Sequence, residues 1–114
     1  MINRNEVTEN IKRLFELGQY DMAEELLTMA WGIENLYDDT LAVYDANLAL
    51  AKEEWEHLWR AVQKGLSCNY KNYELYLLLG EYYRRSNPNQ AYLCYENALF
   101  IVIMTKMRKL SAIT

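Results

Sequence analysis

Histidine, cysteine and tyrosine are the residues of this chain whose chemistry could be put to use, and their placement decides what that chemistry could be. The 114 residues include one histidine, two cysteines and ten tyrosines. His57, in Glu53-Glu54-Trp55-Glu56-His57, is the only histidine, so the partner histidine of a His-Glu-x-x-His zinc motif is missing. The expectation is a partly exposed helical side chain among solvated glutamates, with no metal. The glutamates fall near a helix terminus, where carboxylates meet the positive end of the dipole, so acid–base catalysis is not needed to explain them.

Cys68 and Cys94 have neither C-x-x-C spacing nor a neighbouring basic pair that would mark an activated thiolate. They read as free thiols in a reducing cytoplasm, Cys94 as core packing and Cys68 in a loop. The polar start Asn3-Arg4-Asn5-Glu6 argues against a secretory leader. Gly18, Gly32, Gly65 and Gly80 are isolated, so no phosphate-cradling loop is written here. No cofactor, nucleotide or metal is expected, and no enzymatic activity. The basic end Lys106, Arg108 and Lys109 is too small a footprint for nucleic acid on a chain of net charge −4. The longest apolar run, Ala98 to Met104, falls short of the roughly 20 residues of a membrane span.

The tyrosines raise the question of what positions them. Tyr76, Tyr83 and Tyr95 are expected in the core, leaving Tyr44, Tyr70, Tyr73, Tyr82 and Tyr92 for the surface. Leu, Ala, Glu and Tyr dominate and only one proline interrupts, which predicts an all-α fold of short-linked helices. A triplet spaced by four and then three residues recurs as Ala23, Leu27, Ala30, then Trp55, Trp59, Val62, then Ala91, Tyr95, Ala98. The shifts between sets are 32 and 36 residues, averaging 34, the period of a known helical-hairpin repeat. Each triplet marks the buried stripe of a second helix. This predicts six helices in three hairpins: Glu6–Leu17 with Asp21–Trp31, Asp39–Ala51 with Glu54–Gly65, and Tyr73–Arg85 with Pro88–Met107. The third of these six has two competing stripes, Leu41, Tyr44, Leu48 and Ala42, Ala46, Ala49. Gly18 turns the first hairpin, Asp21 with Glu24 makes a capping box, Gly65 stops the fourth helix, and Asn87, Pro88 and Gln90 start the last.

The third unit, Tyr76-x-x-Leu79-Gly80-x-x-Tyr83 followed by Ala91-x-x-x-Tyr95-x-x-Ala98, resembles the tetratricopeptide-repeat signature. The first unit matches through Leu17-Gly18-Gln19-Tyr20 and Ala23, while the second departs by placing Trp55 where a small residue belongs. The same third stretch is similar to repeat regions appended to bacterial glycosyltransferases of surface polysaccharide synthesis. The resemblance implies one domain over residues 1–114, with units of about 5–33, 38–67 and 72–107 in a right-handed α–α superhelix ending in a long helix. It implies a protein-interaction scaffold, alternatively an accessory module of a glycosyltransferase; a small-ligand binder using the tyrosines is the third reading. It also selects the concave face: Asn5, Thr8 and Lys12 in unit one, Glu74, Leu77, Glu81, Arg84 and Arg85 in unit three, and in unit two Tyr44 and Asn47.

Two features point to association. Residues 1–57 carry 4 basic and 13 acidic groups, and residues 58–114 carry 8 and 3, so the chain is polarised. Leu99-Phe100-Ile101-Val102-Ile103-Met104 is apolar all round, and one neighbour cannot cover it. Leu99, Phe100, Ile103 and Met104 are therefore expected to bury their open side in a homodimer or another protein.

Overall fold

Four of the six helices begin where a short polar side chain closes the first turn. Asn3 accepts from the Asn5 and Glu6 amides at 2.9 and 3.4 Å and opens α1 (Arg4–Glu16). Asp38 accepts from Leu41 at 3.0 Å and opens α3 (Asp39–Ala51). Asn72 accepts from Glu74 at 3.1 Å and opens α5 (Tyr73–Tyr83), and Asn87 accepts from Gln90 at 3.2 Å and opens α6 (Pro88–Ile113). Two helices start without a side-chain cap, α2 (Tyr20–Trp31) and α4 (Trp55–Cys68). The expected capping box at Asp21 is thus displaced: α2 starts one residue earlier, and Asp21 lies inside its first turn. The computed structural model describes residues 3–113, with side chains for 3–110, and among the described residues there is no strand.

Consecutive helices pair as hairpins, α1 with α2, α3 with α4 and α5 with α6, and α3 also touches α1, α2 and α5. That central place resolves its two competing stripes. Leu41 and Leu48 are buried, and so are Ala42, Ala46 and Ala49, because neighbours cover both faces; Tyr44 is half-buried.

In the second hairpin the buried residues fall in a different register from the triplet expected there. Trp55 is half-buried and Trp59 is 38% exposed, so they are not the buried triplet. Leu58, Val62 and Gly65 are buried in their stead. The shifts from Ala23, Leu27 and Ala30 are then 35 residues, and on to Ala91, Tyr95 and Ala98 they are 33. The turns agree: the Gln19 amide donates to Leu14 O and the Glu54 amide to Ala49 O, both at 2.8 Å and again 35 residues apart. Glu53, at φ 57°, holds the left-handed place that Gly18 holds at φ 73°. A tryptophan pair looks like core to a pattern reading, but a ring large enough to shield its neighbours from the rim fits the edge equally well.

Gly65 does not end α4, which runs three residues further to Cys68. It is where three helices come closest. A Cβ at residue 65 would lie 2.6 Å from both the Ala42 Cβ and a Leu75 methyl. Gly80 serves α5 and α6 in the same way, its open side filled by the Tyr95 ring. The radius of gyration is 15.2 Å, against about 13 Å for a compact chain of 100 residues. Much of the excess is α6, whose 26 residues are partnered by the 11 of α5; at about 1.5 Å per residue it overhangs by roughly 20 Å.

Candidate functional site

The first helices of the three hairpins, with the start of α2, enclose a groove of about 580 Å³. Its aromatic side is a three-ring cluster: Phe15 meets Tyr20 edge-on at 5.5 Å and Tyr44 at 4.8 Å between centroids. Val43, Leu48 and Ala51 of α3 extend the apolar lining, and Thr40, Asn47, Asn72 and Glu74 supply its polar atoms. Two of these polar groups are already committed. Asn72 donates to Asp39 at 2.8 Å while capping α5, and Asn47 donates to the Val43 carbonyl at 2.8 Å. The groove therefore offers a ligand the Asn47 amide oxygen and the Glu74 carboxylate as acceptors, beside the hydroxyls of Thr40, Tyr20 and Tyr44, which can donate or accept.

Of the residues selected in sequence, Tyr44, Asn47 and Glu74 are brought together here. The others lie apart from this groove. Asn5 and Lys12 are exposed on α1, with Thr8 half-buried between them. Leu77 is 41% exposed on α5. Glu81 accepts from the Tyr95 hydroxyl at 3.0 Å and pairs loosely with Arg84 at 3.5 Å. Arg85 caps the face of Trp55, its guanidinium carbon 5.9 Å from the ring centroid. Phe15 and Tyr20, which complete the aromatic floor, were not singled out; their signal was apolar residues flanking a Gly turn, which reads equally as hairpin packing.

A second constellation was not foreseen. Asp45 is 4% exposed inside α3. The Tyr37 hydroxyl donates to its Oδ2 at 2.7 Å, and His57 Nε2 lies 2.9 Å from its Oδ1. Burial pushes the Tyr37 hydroxyl far above the usual tyrosine range, and the Asp45 charge adds to it. His57 is thus not simply a solvated helical residue among glutamates. It closes a carboxylate that a lone burial would leave uncompensated, and the triad ties the α2–α3 connection and α4 to the central helix. A cavity of about 230 Å³ adjoins it, lined by Leu27, Thr28, Trp31 and Arg60 beside Asp45 and His57. Both carboxylate oxygens are engaged, which suits anchoring better than proton transfer.

Cys94 is buried, which raises its thiol above the usual range. Cys68 is exposed, as the last residue of α4 and not in a loop. Among the described residues, no three His, Cys, Asp or Glu side chains converge as metal ligands, and no helix is long and apolar enough to cross a membrane. The chain matches no protein-family model, and no curated protein or solved structure proved similar to it. The tetratricopeptide and glycosyltransferase-module resemblances therefore rest on the residues quoted for them.

Proposed function

We propose that this protein is a non-catalytic interaction module whose hairpins stack in the manner of tetratricopeptide repeats, and that its groove takes a short extended peptide. The observation that carries this reading is the groove itself, an aromatic floor with a polar rim that includes Glu74, assembled from all three hairpins. A cleft of about 580 Å³ falls within the size range of small-ligand sites and has room for one or two large side chains. Glu74 is its one charged lining residue, so the matching ligand carries an apolar side chain for the Phe15–Tyr44 floor beside a lysine or arginine for Glu74. Asn47 takes a backbone N–H. The 35- and 33-residue spacing of the three triplets, buried except for the half-buried Tyr95, supports the stacking.

Selection from a displayed random-peptide library, followed by fluorescence anisotropy, tests this. Enriched peptides should share an apolar residue next to a basic one. Tyr44→Ala should weaken them about tenfold or more, and Glu74→Gln should erase the basic preference while circular dichroism stays unchanged. A library that yields no shared pattern, or peptides indifferent to both substitutions, would overturn the proposal.

A further inference from the structure

α6 has two apolar faces, and α5 covers one of them. Ala91, Cys94 and Ala98 are buried against the body. Ile103 lies nine residues from Cys94, about two and a half turns and hence on the opposite side. On that side Leu93, Glu96, Phe100, Ile103, Met107 and Leu110 follow one another at alternating steps of three and four. This is the a/d pattern of a coiled-coil seam, and it is open: Leu93 is 50% exposed, Phe100 62%, Ile103 46%, Met107 60% and Leu110 65%. Beyond α5 the body-facing side of α6 turns polar at Thr105, Arg108 and Lys109, as an uncovered surface should, while the seam stays apolar for two more turns. With Leu99 and Met104 beside it, the seam exposes on the order of 700 Å². That exceeds the roughly 300–600 Å² of the largest patch on a typical monomer and approaches the roughly 800 Å² per partner of a stable interface.

We infer that α6 pairs with α6 of a second copy of this chain, antiparallel, along the seam from Leu93 to Leu110. The seam's own charges select both the occupant and the direction. Antiparallel pairing about the midpoint between Phe100 and Ile103 sets Leu93 against Leu110, Phe100 against Ile103, and Glu96 against Met107 with Lys106 beside it. The one acid of the seam then finds a base twice over. Parallel pairing would set Glu96 on Glu96, a like-charge pair in a closing apolar seam. The four positions named in sequence, Leu99, Phe100, Ile103 and Met104, are thus two seam residues and two flanks.

Sedimentation equilibrium of the full chain over a concentration series is the test, with circular dichroism on each variant to confirm that these exposed substitutions leave the helices intact. The wild type should dimerise, and Phe100→Glu with Ile103→Glu should raise the dimer dissociation constant at least about 100-fold. Glu96→Lys should weaken it about tenfold, and adding Lys106→Glu to that chain should restore it. A wild type that stays monomeric overturns the inference, as does a dimer indifferent to the Phe100 and Ile103 changes. A charge swap that fails to restore dimerisation overturns the antiparallel pairing. None of these positions lines the groove, so peptide binding and dimerisation fail independently.

Discussion

Exchanging glycine for alanine at Gly65, and comparing it with the same change elsewhere, measures how closely the hairpins stack. In an exposed helix the exchange gains about 1 kcal/mol of propensity. At residue 65 the added methyl meets the Ala42 Cβ at 2.6 Å and a Leu75 methyl at 2.6 Å, each about 1 Å inside the ~3.5–4.0 Å separation that carbon pairs prefer. Leu75 is fully buried and has little room to turn aside, and Ala42 cannot move without α3. Overpacking costs roughly 1–3 kcal/mol, and two such contacts at once place this site in the upper half of that range, so after the propensity gain of about 1 kcal/mol Gly65→Ala should be destabilising by about 1–2 kcal/mol. Gly32 is the control: it caps α2 at φ −83° and a Cβ there meets only a carbonyl at 3.7 Å, so Gly32→Ala should stabilise by about 0.4–1 kcal/mol. The left-handed pair gives a second sign test, since Gly18→Ala introduces about 1–2 kcal/mol of strain and Glu53→Gly relieves it, less the added chain entropy of glycine. Urea denaturation read by circular dichroism ranks the four. If Gly65→Ala matched or exceeded the wild type, α3, α4 and α5 would not meet as closely as described and the stacked-hairpin reading would fall.

Two further outcomes follow from the buried titratable groups. Because the folded state holds the Tyr37 proton more tightly than the unfolded chain does, the stability it contributes is complete below pH ~10 and is lost as pH rises beyond, by about 1.4 kcal/mol per unit. Tyr37→Phe should remove that increment of slope and, by leaving an Asp45 oxygen without its donor, cost about 1–3 kcal/mol at neutral pH; an unchanged alkaline slope in urea titrations would refute the buried bond. Thiol alkylation should distinguish the cysteines, with exposed Cys68 reacting at once and Cys94, buried and raised, reacting only as fast as the chain opens. Equal rates would show that α6 does not hold its place on α5.

Helix number and some of the helix starts were legible in the sequence because they rest on local chemistry, while several ends, as at Gly65, were not. Asn87-Pro88-x-Gln90 specifies a helix start through its own side chains, and Gly18 specifies a turn through its own φ. The apolar stretch Leu99–Met104 of α6 was likewise visible, since composition along one helix needs no partner to be read. What tertiary structure decided was which of two equally good faces is covered. Both stripes of α3 contribute buried residues because α1, α2, α4 and α5 all pack on it, and the Trp55–Trp59 pair lies at the edge while Leu58 and Val62 take the core. The triad of Tyr37, Asp45 and His57 belongs to that second kind. Its other members are 8 and 12 residues from Asp45 along the chain, and only the packing of α4 and the α2–α3 connection onto α3 turns three separate polar residues into one hydrogen-bonded group around a buried carboxylate.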